Sequence, residues 1–284
     1  VATVGGKDYA SFKDAYTGAS NGDTILLIDG EYNLDFKITK SVTIKGSSQA
    51  NTILNVTKDI NPNVNASNIK FMNLTLKGSG AGADASGVYF QDGENLETLT
   101  FENCNIYNMN TFIKTRTSDT SHPVVYNIVN CNFDGNGQFI LWINGNTKSI
   151  NIEGCNIDLT NSGKVNNVNG SMFRILDADC NVTFYNNYVL GTLPATSGGI
   201  FESGCAQIDV QYNTFKDVTD RIVLVRAGKS GNAIVFNNNL YLDASDVVLN
   251  AVPSKVTGTG VTADANIYNS EDAREAGYQE FIAQ

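Results

Sequence analysis

Apolar and polar residues alternate with period two in short runs that recur along the chain. The clearest run is Leu99-Thr100-Phe101-Glu102-Asn103-Cys104-Asn105-Ile106. It reads as apolar, any, apolar, any, a turn dyad, any, apolar. Tyr126 to Phe133 and Ile150 to Ile157 repeat it, with Asn130-Cys131 and Gly154-Cys155 as the dyads. Later copies place Asn where Cys stood, at Asn186-Asn187, at Asn213 and at Asn238-Asn239. Looser early copies are Val42 to Gly46 and Ile69 to Leu76. The central apolar anchors are Ile44, Phe71, Phe101, Ile128, Ile152, Phe184, Val210 and Phe236, separated by 27, 30, 27, 24, 32, 26 and 26 residues. A period in this range marks a repeat architecture. Alternation with period two makes the repeating unit a strand.

A second strand follows most anchors: Thr111 to Arg116, Gln138 to Ile143, Ser171 to Leu176, Gly199 to Ser203, Arg221 to Arg226 and Val247 to Ala251. The offset from anchor to strand centre is 12 residues from Phe101 to Ile113 and 21 from Ile152 to Phe173. The longer offset predicts an insertion near Ser162–Val168, and insertions in solenoids gather on one edge. No helical stretch separates the copies, which excludes helix-containing solenoids. The pattern predicts an all-β chain, a right-handed parallel β-helix with coils of roughly 25 residues.

The ends read differently. Ser11 is placed to cap a short helix with Phe12, Ala15 and Tyr16 on its apolar face. Such a helix would close the open end of the first coil. Glu271 to Gln284 reads as a C-terminal capping helix or tail. One domain over 1–284 is expected, with a cap and first strand at 1–35, coils at 36–268 and a tail at 269–284.

The dyad has a physical reading. A tight turn between strands needs a residue that tolerates the left-handed region, and Asn is the best choice after Gly. Stacked coils would set each turn Asn above the next, amide to amide. Cys104, Cys131 and Cys155 then occupy one slot in three consecutive coils, and Cys180 and Cys205 form a separate inward pair. Buried, reduced thiols are the expected state. Five Cys without a CxxC pair, and one His (His122, in a surface turn), argue against a zinc site.

Charge narrows the partners. The formal net charge is −10 and no Lys/Arg cluster stands out, so no nucleic-acid binding is expected. No apolar run approaches the roughly 20 residues that span a bilayer, so no membrane insertion is expected. Oligomerisation is left open.

The run from Ser11 through GDTILLIDGEYN to ITKSVTIKGSSQANTIL resembles the opening of pectin-lyase-like β-helix proteins. That superfamily includes pectate lyases, pectin methylesterases and many surface proteins. The coils with FENCNIYN, IVNCNFDG and FYNNYVLG look like uncharacterised pectate-lyase-like domains secreted by gut Bacteroidetes. The resemblance implies a secreted or surface protein and a polysaccharide or surface glycan as partner. It does not imply an activity, since the esterase stretches Gln-Ala-Val, Asp-Phe-Ile-Phe-Gly and Gly-Arg-Pro-Trp are missing. The polygalacturonase motifs are missing too.

Three function classes remain. A non-catalytic glycan-binding or adhesion domain would use exposed aromatics, with Trp142, Tyr89, Tyr107 and Tyr185 as candidates and Glu202 as a polar neighbour. Trp142 lies in a strand apolar at every position, so packing between layers competes with that role. A polysaccharide lyase would need a base and a cation to neutralise a uronate carboxylate. Period two sends Lys114, Arg116, Arg174 and Arg226 outward on the second strands, where they would serve. Calcium would substitute for such a cation only beside clustered carboxylates, and Asp177 with Asp179, or Asp217 with Asp220, are the nearest approach. No resident metal or cofactor is otherwise expected. The third class is a structural spike, decoration or filament subunit.

Overall fold

A computed structural model of the chain describes residues 1–57, 67–78, 86–90, 96–115, 123–135, 139–160, 172–191, 200–217, 223–225, 233–242, 261–262 and 267–268. Of these, 86–90, 202–203, 223–225, 233–234, 241–242, 261–262 and 267–268 are described by their backbone. The predicted insertion at Ser162–Val168, the last second strand at Val247–Ala251, His122, Asp220 and the C-terminal tail lie outside the described residues.

Beyond the N-terminal Ala2–Val4 and Lys7–Tyr9, successive described strands do not pair with each other. Each pairs with its counterpart one coil away, in parallel, and this builds three sheets along one axis. Among the described residues the sheets contain 12, 10 and 6 strands. Sheet one carries the anchors. Ile25, Ile44, Phe71, Phe101, Ile128, Ile152, Phe184, Val210 and Phe236 are register partners in one unbroken row. All nine are buried. Sheet two follows each anchor strand after the turn dyad, and sheet three carries the second strands. The chain is a parallel β-helix.

The core fills the space between the three sheets. Phe71 and Phe101 stack with centroids 5.3 Å apart and planes 7° from parallel. Phe173 stacks on Phe201 at 5.0 Å and meets Phe184 edge-on at 5.6 Å. Like residues in like slots thus meet at about the strand spacing, as stacked coils require.

The turn from sheet one to sheet two shows why the dyad exists. Its first residue has positive φ in seven coils: Asn73, Asn103, Asn130, Gly154, Asn186, Tyr212 and Asn238. Its second residue points inward. There Leu74 comes first, Cys104, Cys131 and Cys155 follow, and Asn187, Asn213 and Asn239 continue the row. The Asn amides satisfy buried backbone groups. Asn213 Oδ1 accepts the Asn187 N–H at 2.8 Å, while Asn213 Nδ2 donates to the Phe184 carbonyl at 2.8 Å. The two chemistries join where the Cys155 N–H donates to Asn187 Oδ1 at 2.8 Å.

All five Cys are buried free thiols. The Cys131 thiol is pushed up, first by its hydrogen bond with Cys104, and the Cys155 thiol likewise by its bond with Cys131. Burial pushes up Cys180, and its neighbour Cys205 adds to the shift.

The N-terminal cap forms as the sequence predicts. Ser11 accepts the Asp14 N–H at 3.1 Å and opens a helix over Phe12–Gly18, with Phe12, Ala15 and Tyr16 buried. The Lys40 ammonium closes its C-terminal end on the carbonyls of Tyr16, Thr17 and Ala19 at 2.7–2.9 Å. A cation there complements the exposed carbonyls. Ala2–Val4 covers the first edge, antiparallel to both Lys7–Tyr9 and Thr24–Leu27.

Candidate functional site

Sheet three gathers most of the sequence-predicted site residues into one row. Tyr89, Lys114, Trp142, Arg174 and Glu202 are successive register partners across five parallel strands, and Leu224 continues the row. Tyr89 and Glu202 are placed by register. Arg116 and Arg226 lie outside the described residues.

The strands put Lys114, Trp142 and Arg174 outward by a modified alternation. In Thr111–Thr115 both Phe112 and Ile113 are fully buried, and only Lys114 is partly exposed. In Phe139–Ile143 the same holds for Trp142, with Ile140, Leu141 and Ile143 buried. Strict period two fails at the start of each strand because Phe112 and Ile140 both turn into the core. Phe112 packs there against Phe101 at 4.7 Å. Trp142 is therefore not packed between layers. Its indole stands half-buried on the outer side, tilted 46° against Phe139 at 5.0 Å.

Cations hold both neighbours of that indole. Lys114 Nζ lies over the ring at 4.5 Å from its centroid, and Arg174 Cζ lies over it at 5.4 Å. Each such contact draws a cation to the ring quadrupole and orders a side chain that would otherwise sample many rotamers. The indole is also locked from its edge. Trp142 Nε1 donates to Asn144 Oδ1 at 3.2 Å, and Asn144 Nδ2 donates to the Thr115 carbonyl at 3.2 Å. The Asn144 N–H donates to Thr115 Oγ1 at 3.0 Å. Thr115 and Asn144 were not singled out as site residues. The readable signal was Asn two positions after Trp, which sets both on the same side of a strand.

Of the aspartates nearest to a calcium site, Asp177 serves the backbone. Asp177 is buried, accepting the Thr147 N–H at 2.8 Å and the Asp179 N–H at 3.1 Å. It closes the turn that leads back to sheet one. Asp217 occupies a left-handed turn position. Among the described residues no group of three or more His, Cys, Asp or Glu is arranged to hold a metal ion. Among them, too, no helix is long and apolar enough to cross a membrane.

The other predicted aromatics lie elsewhere. Tyr107 is exposed on sheet two, and Tyr185 sits partly exposed on sheet one. Neither joins the Trp142 row.

The fold and the row together define a parallel β-helix with an ordered cation–indole–cation strip on its third sheet. A family described as a domain of unknown function (DUF4957) matches residues 30–162. No curated protein matches the chain. Among solved structures the chain is similar to a mannuronic acid specific polysaccharide family 6 lyase enzyme from human gut microbiota. The two are 14% identical, the alignment covers 91% of this chain and 85% of that one, and the TM-score is 0.34.

Proposed function

We propose that the chain is a non-catalytic, surface-exposed or secreted glycan-binding protein that takes an acidic polysaccharide across sheet three. One observation carries this reading: Lys114 and Arg174 flank the Trp142 indole at 4.5 and 5.4 Å on the outer side of the sheet. Two ordered cations separated by an apolar ring suit a polymer that alternates acidic groups with the C–H faces of sugar rings. Ordering the cations in advance lowers the conformational cost of binding. The net charge of −10 opposes long-range capture of a polyanion. Attraction is therefore local, and affinity falls as salt rises.

A lyase reading draws on the same residues, with Lys114 as base and Arg174 as neutraliser. In β-elimination the base takes the proton beside the carboxylate, the bond to the leaving oxygen breaks, and a carbon–carbon double bond forms. Base and neutraliser must then act on one sugar. Lys114 and Arg174 are two strands apart, roughly 10 Å along the axis at about 4.8 Å per strand, with the indole between them. That separation favours binding over elimination.

Affinity electrophoresis tests the proposal. Gels containing alginate, polygalacturonate or chondroitin sulfate should retard the protein, and dextran should not. Trp142→Ala and Arg174→Ala should each weaken the retardation while leaving the far-ultraviolet spectrum unchanged. Equal mobility in all gels would overturn the reading. Ultraviolet absorbance from unsaturated uronate would replace it with the lyase reading.

A further inference from the structure

One turn position departs from its own repeat. Six of the seven positive-φ residues between sheets one and two are Asn or Gly, and the seventh is Tyr212 at φ 58°. An aromatic side chain is an outlier in that region. Outliers of this kind persist where the surroundings impose them, and they cluster at functional places. Packing does not account for Tyr212, because it is 60% exposed.

The neighbours make a corner. The Tyr185 ring stands at 85° to the Tyr212 ring, with centroids 6.4 Å apart. Beside it the Tyr185 hydroxyl donates to Asp209 Oδ2 at 2.5 Å. Gln211 Nε2 donates to Asp209 Oδ1 at 2.7 Å and to the Tyr185 hydroxyl at 3.2 Å. Tyr185, Asp209 and Gln211 are each partly exposed. An exposed aromatic face thus stands next to an ordered carboxylate, amide and phenol.

We propose that Tyr212, Tyr185, Asp209 and Gln211 form a second saccharide site, one that takes a neutral pyranose ring. The C–H face of the sugar lies on Tyr212. Its hydroxyls donate to the Asp209 carboxylate and to the Gln211 amide oxygen, since both Gln211 N–H groups already serve Asp209 and Tyr185. The Asp209 carboxylate repels a uronate, which separates this site from the cationic row on sheet three. The Tyr185 phenol, pushed up to about 12 mainly by its hydrogen bond to Asp209, stays protonated across the working range.

The test exploits the repeat. Tyr212→Asn installs the residue that most other coils carry at this turn, so the variant should fold with an equal or higher thermal midpoint. Tyr212→Phe keeps the ring face. Saturation-transfer NMR and calorimetry on the full chain, with cellohexaose, mannohexaose and maltohexaose, should find at least one ligand for the wild type. Tyr212→Asn should weaken it by about tenfold, the upper range for one lost aromatic contact, and Tyr212→Phe should keep it. Polygalacturonate binding should be the same in all three proteins. The proposal is overturned if none of the three sugars binds the wild type, or if Tyr212→Asn binds as the wild type does.

Discussion

Two rows follow the helix axis and treat repetition in opposite ways. The inward turn row repeats one job with two chemistries, Cys104-Cys131-Cys155 and then Asn187-Asn213-Asn239. The register row of sheet three that carries the outward Lys114, Trp142 and Arg174 changes residue type at every coil, from Tyr89 through to Glu202. In a solenoid, chemistry that recurs from coil to coil holds the coils together. Chemistry that breaks the repeat is free to serve something outside. Within the inward row the contrast is finer: thiols fill volume and make only long, weak sulfur hydrogen bonds to backbone groups, whereas amides make short ones to groups that have no water to turn to.

The comparison breaks first at Asn213. Removing its side chain strands the Asn187 N–H and the Phe184 carbonyl inside the helix. Asn213→Ala should cost on the order of 3 kcal/mol, as about two unsatisfied buried groups would, read as a lowered denaturant midpoint. Cys131→Ala removes buried thiol surface and weak sulfur hydrogen bonds, and should cost about 1 kcal/mol. If the two variants lost equal stability, the distinction between filling and satisfying would fail. Thiol reagents should meet none of the five thiols in the folded protein and all five after denaturation, since every one is buried and reduced.

Trp142→Ala is the outward counterpart. It should cost about 1 kcal/mol, because the ring is partly exposed on the outer side, with Lys114, Arg174 and Phe139 as its ring contacts. The smallest effect belongs to Tyr185. Its phenol titrates at about 12 in the folded protein against 10.0 for a free tyrosine. Between those values the folded state holds more proton than the unfolded one, so stability falls as pH rises through the interval. An alkaline absorbance titration should show a transition near 12 that Tyr185→Phe removes.

Much of the fold was legible because it rests on local rules. Period two found every anchor from Ile44 to Phe236. The turn dyad found the left-handed Asn positions, and Ser11 with Phe12, Ala15 and Tyr16 marked the cap. The site was legible only in part. Lys114, Trp142 and Arg174 were each readable as candidates, but their contact was not. It depends on register between strands whose loops differ in length, and spacing along the chain does not carry that register. Phe112 and Ile140 turn inward beside Ile113 and Leu141, a break in alternation that core packing decides, for Phe112 against Phe101. Asp177 looked like a cation ligand because composition shows a carboxylate and not the Thr147 N–H that it accepts. Tyr212 carries no mark in the sequence, because only its φ shows it standing where its equivalents are Asn or Gly.

The central claim is that the Lys114–Trp142–Arg174 strip binds an acidic glycan. The most direct measurement is polygalacturonate affinity as a function of salt for the wild type, Lys114→Ala, Trp142→Ala and Arg174→Ala. The account predicts binding that weakens steadily with ionic strength. It also predicts a loss of about threefold to tenfold in each variant at low salt, the scale of one cation–π partner, with thermal midpoints held. Wild-type affinity in all three variants, or no binding by the wild type at low salt, would contradict it.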